Sequence, residues 1–320
     1  MRVLVTGGLG YKGSVLVPKL LRRGYQVRVV DTGWFGNFLP EHPNLVINRC
    51  DIRNIAGMDF KPGSYQAIIH LAGIANDPCG ELDSKLTWEV NVHATKQLIE
   101  MAIERKMGQF IFASSASVYG LKGNKAVTEE DSHAPVSDYN KTKSVAERVL
   151  LSYKDQIAVQ ILRPATICGF SPRMRLDTMV NMLTMQALTK GAITAHCGEH
   201  GGNLMRPNAH IQDITDLYVW MLERPELTGY FNAGFENISA LDTAVKIAEQ
   251  VEAKINITEV QDKRSYAVDS SKLLGLGFKP RHSVDSAIRE IVAAHKSGTL
   301  KEEEHMMNLN WMRKHGWVAG

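Results

Sequence analysis

Short apolar runs alternate with amphipathic helical patterns through the first half of the chain. The runs predicted to form buried strands are residues 3–5, 26–31, 45–47, 67–71, 109–113 and 159–162. Helical patterns are predicted between them, at residues 14–23, 82–106 and 138–153. This alternation is typical of an α/β fold in which helices cover both faces of a doubly wound parallel sheet, and six or seven parallel strands are expected.

The alternation loosens after residue 164. Helices are predicted at 176–190, 213–223, 239–251 and 283–296, a short strand at 229–232, and a peripheral helix in the charged, Met-rich stretch 300–315. We therefore predict two domains that share a cleft. Residues 1–165, with a return segment at about 207–235, form the sheet domain, and residues 166–206 and 236–320 form a smaller mixed α/β domain.

The composition is that of a globular chain with little net charge. At 320 residues and 44% hydrophobic content, the chain can bury a large core. Its 37 basic and 34 acidic residues give a net charge of +3, which favours neither nucleic acid nor a membrane as a partner. The four cysteines lack the paired spacing of a metal site, so no metal is expected. Without a leader or a long apolar run, the chain is predicted to be cytoplasmic.

The first strand leads into three glycines spaced three residues apart, and a helical pattern follows at once. Gly7 permits a tight turn, Gly10 lets a pyrophosphate approach the backbone, and Gly13 lets the helix pack close to the strand. The helix N-terminus offers N–H groups to phosphates. Asp31 ends the second strand, where a carboxylate accepts hydrogen bonds from an adenosine ribose and repels a 2′-phosphate. These features predict a Rossmann-type domain that binds NAD.

A serine-rich strand end and a Tyr-x-x-x-Lys pair form the candidate chemical centre. The strand at 109–113 runs into Ser115, and Tyr139 and Lys143 lie four residues apart on one helix face. A lysine ammonium beside the phenol, together with a nicotinamide cation, is expected to lower the pKa of Tyr139. Such a tyrosine can exchange a proton with a substrate hydroxyl while NAD serves as hydride acceptor, and Ser115 is expected to hydrogen-bond the substrate oxygen.

Together these motifs resemble the extended short-chain dehydrogenase/reductase family of nucleotide-sugar epimerases and dehydratases, and the resemblance covers essentially the whole chain. It implies that Asp51 and Ile52 flank the adenine and that Asn91 shapes the active-site helix. The cofactor contacts expected from the motifs and the resemblance are Gly7, Gly10, Tyr11, Lys12, Gly13, Asp31, Asp51, Ile52, Leu71, Ala72, Gly73, Tyr139 and Lys143.

The later half resembles the same family where a nucleotide-sugar diphosphate is expected to bind. The segment from Arg206 through His210 to Asp213 is similar to the family's Arg-x-x-x-His-x-x-Asp signature, in which the arginine grips the diphosphate. Arg264 lies in a segment similar to the family's second diphosphate-arginine region. Forked guanidinium groups suit a diphosphate. The expected substrate contacts are Ser115, Thr166, Arg173, Arg206 and Arg264.

Departures from the family pattern narrow the expected reaction. The family's 4,6-dehydratases carry an Asp-Glu pair just after the catalytic threonine, and this chain has Ala116 and Ser117 there, so 4,6-dehydration is not expected. Thr166 stands where the family often has an asparagine that contacts the nucleotide phosphates. Arg173 and Arg175 are expected to line a substrate loop, in a segment similar to one in some bacterial GDP-heptose C4-dehydrogenases.

The sequence therefore predicts an NAD-dependent nucleotide-sugar 4-epimerase that oxidises C4 to a transient 4-keto sugar, with Ser115, Tyr139 and Lys143 as catalytic residues. A net C4 dehydrogenase or ketoreductase stays open, because no motif reports whether the cofactor turns over. A non-catalytic dinucleotide sensor is a third alternative, although such proteins tend to lose the Tyr/Lys pair. The helices at 82–106 and 138–153 are expected to carry surplus apolar surface, and the family typically pairs them, so a homodimer is expected.

Overall fold

A computed structural model shows one large parallel sheet covered by helices on both faces, with three small sheets beside it. The structure describes residues 1–58, 60–123, 125–198, 202, 204–260 and 265–316. The strands are β1 (Arg2–Thr6), β2 (Gln26–Asp31), β3 (Leu45–Arg49), β4 (Ala67–His70), β5 (Gln109–Ala113), β6 (Ala126–Val127), β7 (Ala158–Pro164), β8 (Thr166–Cys168), β9 (Ala192–Cys197), β10 (Met205–His210), β11 (Gly229–Ala233), β12 (Glu236–Ser239), β13 (Lys254–Glu259) and β14 (Ala267–Val268).

Helices connect most of these strands. The α-helices are α1 (Gly13–Arg22), α2 (Asp77–Gly80), α3 (Ser84–Trp88), α4 (Ala94–Glu104), α5 (Asp138–Leu151), α6 (Met179–Lys190), α7 (Ile211–Leu222), α8 (Ala240–Ala248), α9 (Ser271–Gly275), α10 (Val284–Lys296) and α11 (Asn308–His315). Short 3₁₀ turns lie at Ile52–Gly57, Ala116–Tyr119 and Glu304–Met306.

The large sheet has seven strands in the described chain, in the order β11-β7-β5-β4-β1-β2-β3, and every neighbouring pair is parallel. The predicted doubly wound parallel sheet is thereby confirmed. The chain reverses its direction across the sheet between β1 and β4. In open α/β sheets such a switch point forms a crevice at the carboxyl ends of the strands, where ligands bind.

Alternate side chains of the central strands fill two separate cores. On β1, Val3 and Val5 pack with α1 and α7, whereas Leu4 lies in the other core with α4 and α5. Because successive side chains of a strand point to opposite faces, an unbroken apolar run serves both faces. This burial on both faces explains why the central strands lack the polar alternation of a one-sided sheet.

The small sheets join distant parts of the chain. β10 lies between β12 and β8, β13 pairs with β9, and β14 pairs with β6. β11, which comes from the later half, forms an edge strand of the large sheet. The two-domain division with boundaries near residues 165, 206 and 235 stays a prediction.

Three predicted helices differ from the observed ones. The predicted helix at 82–106 begins at Ser84, after Asp83 caps the Leu86 N–H, and a π-helical turn at Glu89–His93 separates α3 from α4. The predicted helix at 176–190 begins at Met179. The stretch 300–315 forms the turn at Glu304–Met306 and α11, and it packs on the large cleft instead of lying at the periphery.

The outer faces of α4 and α5 are polar. No large hydrophobic side chain of these two helices is among the exposed ones in the described chain. Lys96 pairs with Glu100, which also accepts a hydrogen bond from the Tyr153 hydroxyl. Leu82, at the start of the predicted helix 82–106, is 40% exposed. The surplus apolar surface and the homodimer therefore stay predictions.

A buried ion pair joins α5 to the strands beside it. The Arg163 guanidinium on β7 donates to both carboxylate oxygens of Glu147 on α5, at 2.6–3.2 Å, and both side chains are about 2% exposed. Ser114, after β5, donates its hydroxyl to the same carboxylate. Arg163 also donates to the Tyr119 hydroxyl at 2.7 Å. The pair therefore ties one helix to two strand ends.

Removal of the negative partner should destabilise the fold strongly. In Glu147→Gln the buried Arg163 keeps its charge and loses its carboxylate, which is expected to lower the free energy of unfolding by about 3–5 kcal/mol. Urea denaturation followed by circular dichroism measures this loss. Glu100→Gln, which breaks the exposed pair with Lys96, is the matched control and should cost much less. Equal losses in the two variants would contradict a structural role for the buried pair.

Candidate active site

One large cleft lies at the carboxyl ends of β1, β2, β4, β5 and β7, where the strand order reverses. Its volume is about 1140 Å³, which exceeds the roughly 300–1,000 Å³ typical of a site for one small ligand. The glycine turn and the Tyr139 helix both line it. The cleft therefore has room for a dinucleotide together with a substrate.

The glycine turn is shaped by close backbone packing. Gly7 has a φ of +71°, and a Cβ there would lie 2.5 Å from the Ala72 nitrogen. A Cβ on Gly13 would lie 2.4 Å from the Gly8 oxygen. Gly7, Gly10 and the two residues after it line the cleft, whereas Gly13 does not and instead lets α1 start against the turn. The turn therefore presents backbone to a ligand.

Two acidic residues lie at the end of the cleft expected to hold adenosine. Asp31 accepts hydrogen bonds from the N–H groups of Gly33 and Leu9, at 2.8 and 3.0 Å, and burial raises its pKa. Asp51 accepts from the Arg53 backbone and guanidinium. Both carboxylates are held in place, and Asp31, Asp51 and Ile52 all line the cleft.

Asn91 connects the loop after β4 to the catalytic helix. Its side-chain oxygen accepts from the Ile74 N–H at 2.9 Å, and its NH₂ donates to the Ile74 carbonyl and to the Thr142 hydroxyl. A Cβ on Gly73 would lie 2.8 Å from this side-chain oxygen, so a glycine is needed there. Leu71, Ala72 and Gly73 line the cleft beside it.

Ser115 and Tyr139 lie on one wall of the cleft. Ser115 caps the 3₁₀ turn after β5, and its hydroxyl lies 2.8 Å from that of Ser117. Tyr139 stands in the first turn of α5, which Ser137 caps through the Asn140 N–H. The predicted serine and tyrosine are thus brought together by a strand end and a helix start.

Lys143 lies one helical turn after Tyr139 and is buried. Its ammonium donates to the Ala113 carbonyl at 2.9 Å and lies 4.7 Å from the centre of the Phe112 ring. Burial lowers its pKa to about 8. These contacts fix the ammonium at the end of β5, beneath the cleft.

The expected lowering of the Tyr139 pKa is wrong for the protein chain by itself. Burial raises this pKa, and the Ser115 hydroxyl and the Arg175 guanidinium oppose the rise only in part. Desolvation disfavours the phenolate because the cleft wall excludes water. Arg175, and not Lys143, supplies the nearby positive charge that acts on the phenol.

Lys12 adds another cation to the cleft, and its side chain is half-buried. Burial lowers its pKa to about 7, and the positive charges of Lys143 and Arg175 act in the same direction. None of the described salt bridges involves Lys12. Buried cations without carboxylate partners favour an anionic ligand, so this side of the cleft fits the pyrophosphate of a dinucleotide.

Arg173 and Arg175 take different positions. Arg175 forms a two-pronged ion pair with Asp177, at 2.8 and 3.1 Å, and faces Tyr139. Arg173 packs its guanidinium 4.1 Å from the centre of the Phe35 ring and donates to Asn308 at 2.6 Å. Arg173 lines the cleft, and its expected contact with the substrate stays a prediction.

The other expected substrate residues are only partly described. Thr166 and Arg206 line the cleft. Arg206 also lines a neighbouring pocket of about 250 Å³, which is mostly apolar. Arg264 lies outside the described residues, and the structure makes no statement about its position.

Sequence reasoning missed a whole wall of the cleft. We call residues 304–315 the C-terminal strap; its residues Met307, Asn308, Leu309, Asn310 and Met312 line the cleft. Trp34 and Phe35, just after β2, line it too. Two signals could have identified this wall. An aromatic pair lies three and four residues after Asp31, and the strap has more apolar positions than a peripheral helix needs.

Other kinds of site find no support in the described part of the chain. No group of three or more His, Cys, Asp or Glu side chains is placed to hold a metal ion. All four cysteines are free. Where helices are described, none is both long enough and apolar enough to cross a membrane.

Affinity for NAD should fall as the pH rises above about 7. The phosphates of NAD raise the pKa of any lysine that they contact. Binding of NAD therefore takes up protons, and it weakens at pH values where Lys12 is neutral in the protein without NAD. A shift of one pKa unit corresponds to about a tenfold change in affinity. His70, whose pKa burial lowers to about 3, stays neutral over this range.

Calorimetric titration with NAD between pH 6 and 9 measures this dependence. In Lys12→Met the fall that begins near pH 7 should be lost. Lys85→Met, at an exposed position, should leave the wild-type profile unchanged. An identical profile in Lys12→Met would show that Lys12 does not contact the phosphates.

Comparison with known proteins agrees with this geometry. The family model described as "NAD dependent epimerase/dehydratase family" matches residues 3–234. The chain is 29% identical over 245 residues to an ADP-L-glycero-D-manno-heptose-6-epimerase of Alkalilimnicola ehrlichii, covering 72% of this chain and 75% of the relative. It is 25% identical over 324 residues to a UDP-glucose 4-epimerase of Lactobacillus helveticus, covering 93% and 98%.

Solved structures show the same fold. The UDP-glucose 4-epimerase of Thermus thermophilus, solved in complex with NAD, superposes with a TM-score of 0.81 at 24% identity, covering 94% of this chain and 100% of that one. The family model spans the glycine turn, Asp31, Ser115, Tyr139 and Lys143. The chain therefore belongs to the NAD dependent epimerase/dehydratase family, and its cofactor is NAD.

Proposed function

We propose that the chain is an NAD-dependent nucleotide-sugar 4-epimerase. The observation that carries the proposal is the shared cleft wall of Ser115 and Tyr139, with Lys143 beneath them and no carboxylate at positions 116 and 117. This arrangement offers one site for proton exchange with a substrate hydroxyl. The epimerase names of several relatives support the same class of reaction.

The proposed chemistry divides between the cofactor and the chain. Bound NAD supplies the hydride acceptor and donor for the sugar carbon. Tyr139 takes the proton of the C4 hydroxyl and later returns it, and Ser115 orients the same oxygen. Burial raises the pKa of Tyr139 and so disfavours the phenolate that this step requires. The positive charge of Arg175 acts in the opposite direction and favours the phenolate.

Elimination of water is not favoured by the acids near Tyr139. Asp77 accepts a hydrogen bond from the Ser137 hydroxyl at 2.7 Å. Asp177 is held by Arg175 and by the Asn76 side chain. Both carboxylates are engaged by neighbouring side chains, whereas a dehydratase needs an acid and a base free to act on the sugar.

The proposed substrate is a nucleoside diphosphate sugar. Arg206 lies between the cleft and the neighbouring pocket, a position that suits a diphosphate whose nucleoside extends beyond the cleft. Ser115, Thr166 and Arg264 complete the proposed contacts. We also propose a cytoplasmic location and, from the family resemblance alone, a homodimer through α4 and α5.

Tyr139→Phe should separate chemistry from binding. The phenylalanine keeps the ring and removes the group that exchanges the proton, so turnover should fall by about two to four orders of magnitude. The ultraviolet absorbance of the purified variant, which reports bound NAD, should match that of the wild type. A calorimetric titration with NAD should give the same affinity in both proteins. Unchanged turnover would refute the role given to Tyr139.

Incubation without added cofactor distinguishes epimerisation from net oxidation or reduction. Purified enzyme is mixed with a panel of nucleoside diphosphate hexoses, and the sugars are separated by ion-exchange chromatography while absorbance at 340 nm is recorded. A 4-epimerase forms the C4 isomer with no lasting absorbance change. Stoichiometric NADH, or a requirement for external cofactor, would instead identify a C4 dehydrogenase or ketoreductase.

A further inference from the structure

Arg173 is a buried cation whose direct partners are neutral. The residue is 1% exposed, and its guanidinium donates to the Asn308 side chain at 2.6 Å and to the His305 carbonyl at 3.3 Å. Its Nε has no hydrogen-bond partner. Within the described chain, no carboxylate lies at ion-pair distance from it. A buried charge in this situation is costly unless an anion binds beside it.

The position of Arg173 indicates which anion. Besides burial, the charges of Arg175 and Asp177 act most strongly on Arg173, and Asp31 and Tyr11 act on it too. Asp31, Tyr11 and Arg173 line the same cleft. Tyr11 belongs to the glycine turn, and Asp31 ends β2. The Arg173 N–H also donates to the hydroxyl of Ser14, the residue after Gly13, at 3.4 Å. Arg173 therefore lies beside the turn that is shaped for a pyrophosphate.

The C-terminal strap is attached to both sides of the cleft. On the first side, Trp311 donates its indole N–H to the Trp34 carbonyl at 3.0 Å, and the His305 ring stacks on Phe38. On the second side, the Met306 carbonyl accepts from the Leu176 N–H at 2.9 Å. The strap is therefore a bridge over the Asp31 end of the cleft.

Apolar packing supports this attachment. Met312 lies in the core that contains Leu4 and Ile52, and Leu309 packs against that core. Met306 lies in a separate cluster with Tyr11 and Met174. Burial of such side chains contributes about 1.5–3 kcal/mol each. This contribution stabilises the strap in its position on the cleft.

We propose that Arg173 and the C-terminal strap form a further wall of the cofactor site. Arg173 receives the diphosphate of NAD beside the glycine turn, and the strap encloses the adenosine half. Asn308 positions the guanidinium that makes this contact. The strap thereby slows the release of NAD, which keeps the cofactor on the protein between turnovers. This inference concerns cofactor retention, so it stands or falls independently of the proposed 4-epimerase reaction.

The first experiment measures release of ADP-ribose, which carries the adenosine and diphosphate of NAD without the nicotinamide. Stopped-flow displacement by excess NAD should give about tenfold faster release in Asn308→Ala and Trp311→Phe than in wild type, as expected when one hydrogen bond that holds the wall is lost. Arg173→Met should release it faster still. Arg313→Ala, on the exposed face of α11, is the control and should match wild type.

The second experiment uses the unmodified protein and does not depend on variants that fold. Hydrogen exchange of residues 304–315 should slow by at least severalfold when ADP-ribose is added, and UDP should leave it unchanged. Unchanged exchange with ADP-ribose would overturn the proposal. So would wild-type release rates in folded Asn308→Ala and Trp311→Phe, or an Arg173→Met variant that loses affinity for UDP and keeps it for ADP-ribose.

Discussion

The buried pair of Arg163 and Glu147 is the constraint on which the catalytic geometry depends. Glu147 lies two turns after Tyr139 on α5, and Arg163 lies on the strand next to β5. Through Ser114 and Tyr119 the pair also holds the segment on either side of Ser115. The serine follows β5, whereas the tyrosine and the lysine lie on α5, and a buried network fixes these two parts of the chain relative to one another. Because a buried ion pair tolerates little displacement, this network sets the position of α5 against the sheet.

The electrostatics of the cleft follow from an excess of buried and half-buried positive charge on one side. Lys12, Lys143 and Arg173 each have pKa values that burial lowers. Such groups cost folding free energy in the absence of a ligand, and a bound dianion offsets that cost. The Thr6, His70 and Thr95 side chains beneath the cleft are joined by hydrogen bonds and remain neutral. The negative charge of bound ligands thus balances the positive charge of the cleft.

The parts of this molecule that were predictable from sequence are those fixed by local spacing. The glycine turn, Asp31 and the Tyr139–Lys143 pair are each defined by residues close together in the chain. Their spacing in the sequence therefore predicts how these residues lie in the structure. The position of Arg173 was not predictable, because it depends on an asparagine 135 residues away. The π-helical turn around Asn91 escaped detection because one inserted residue hardly disturbs a period of 3.6. The raised pKa of Tyr139 required knowledge of burial, which a four-residue spacing does not contain.

The course of the chain limits how the two halves could ever be separated. β11 completes the large sheet beside β7, and α7 covers α1, although both come from the later half. β14 likewise pairs with β6. A fragment that ended after β7 would expose that strand as a free edge, with apolar surface where α7 and Phe231 had packed, and such edges invite pairing with other chains. The later half therefore cannot be exchanged as a separate unit. New substrate preferences must arise from changes in its loops, within a sheet that both halves build together.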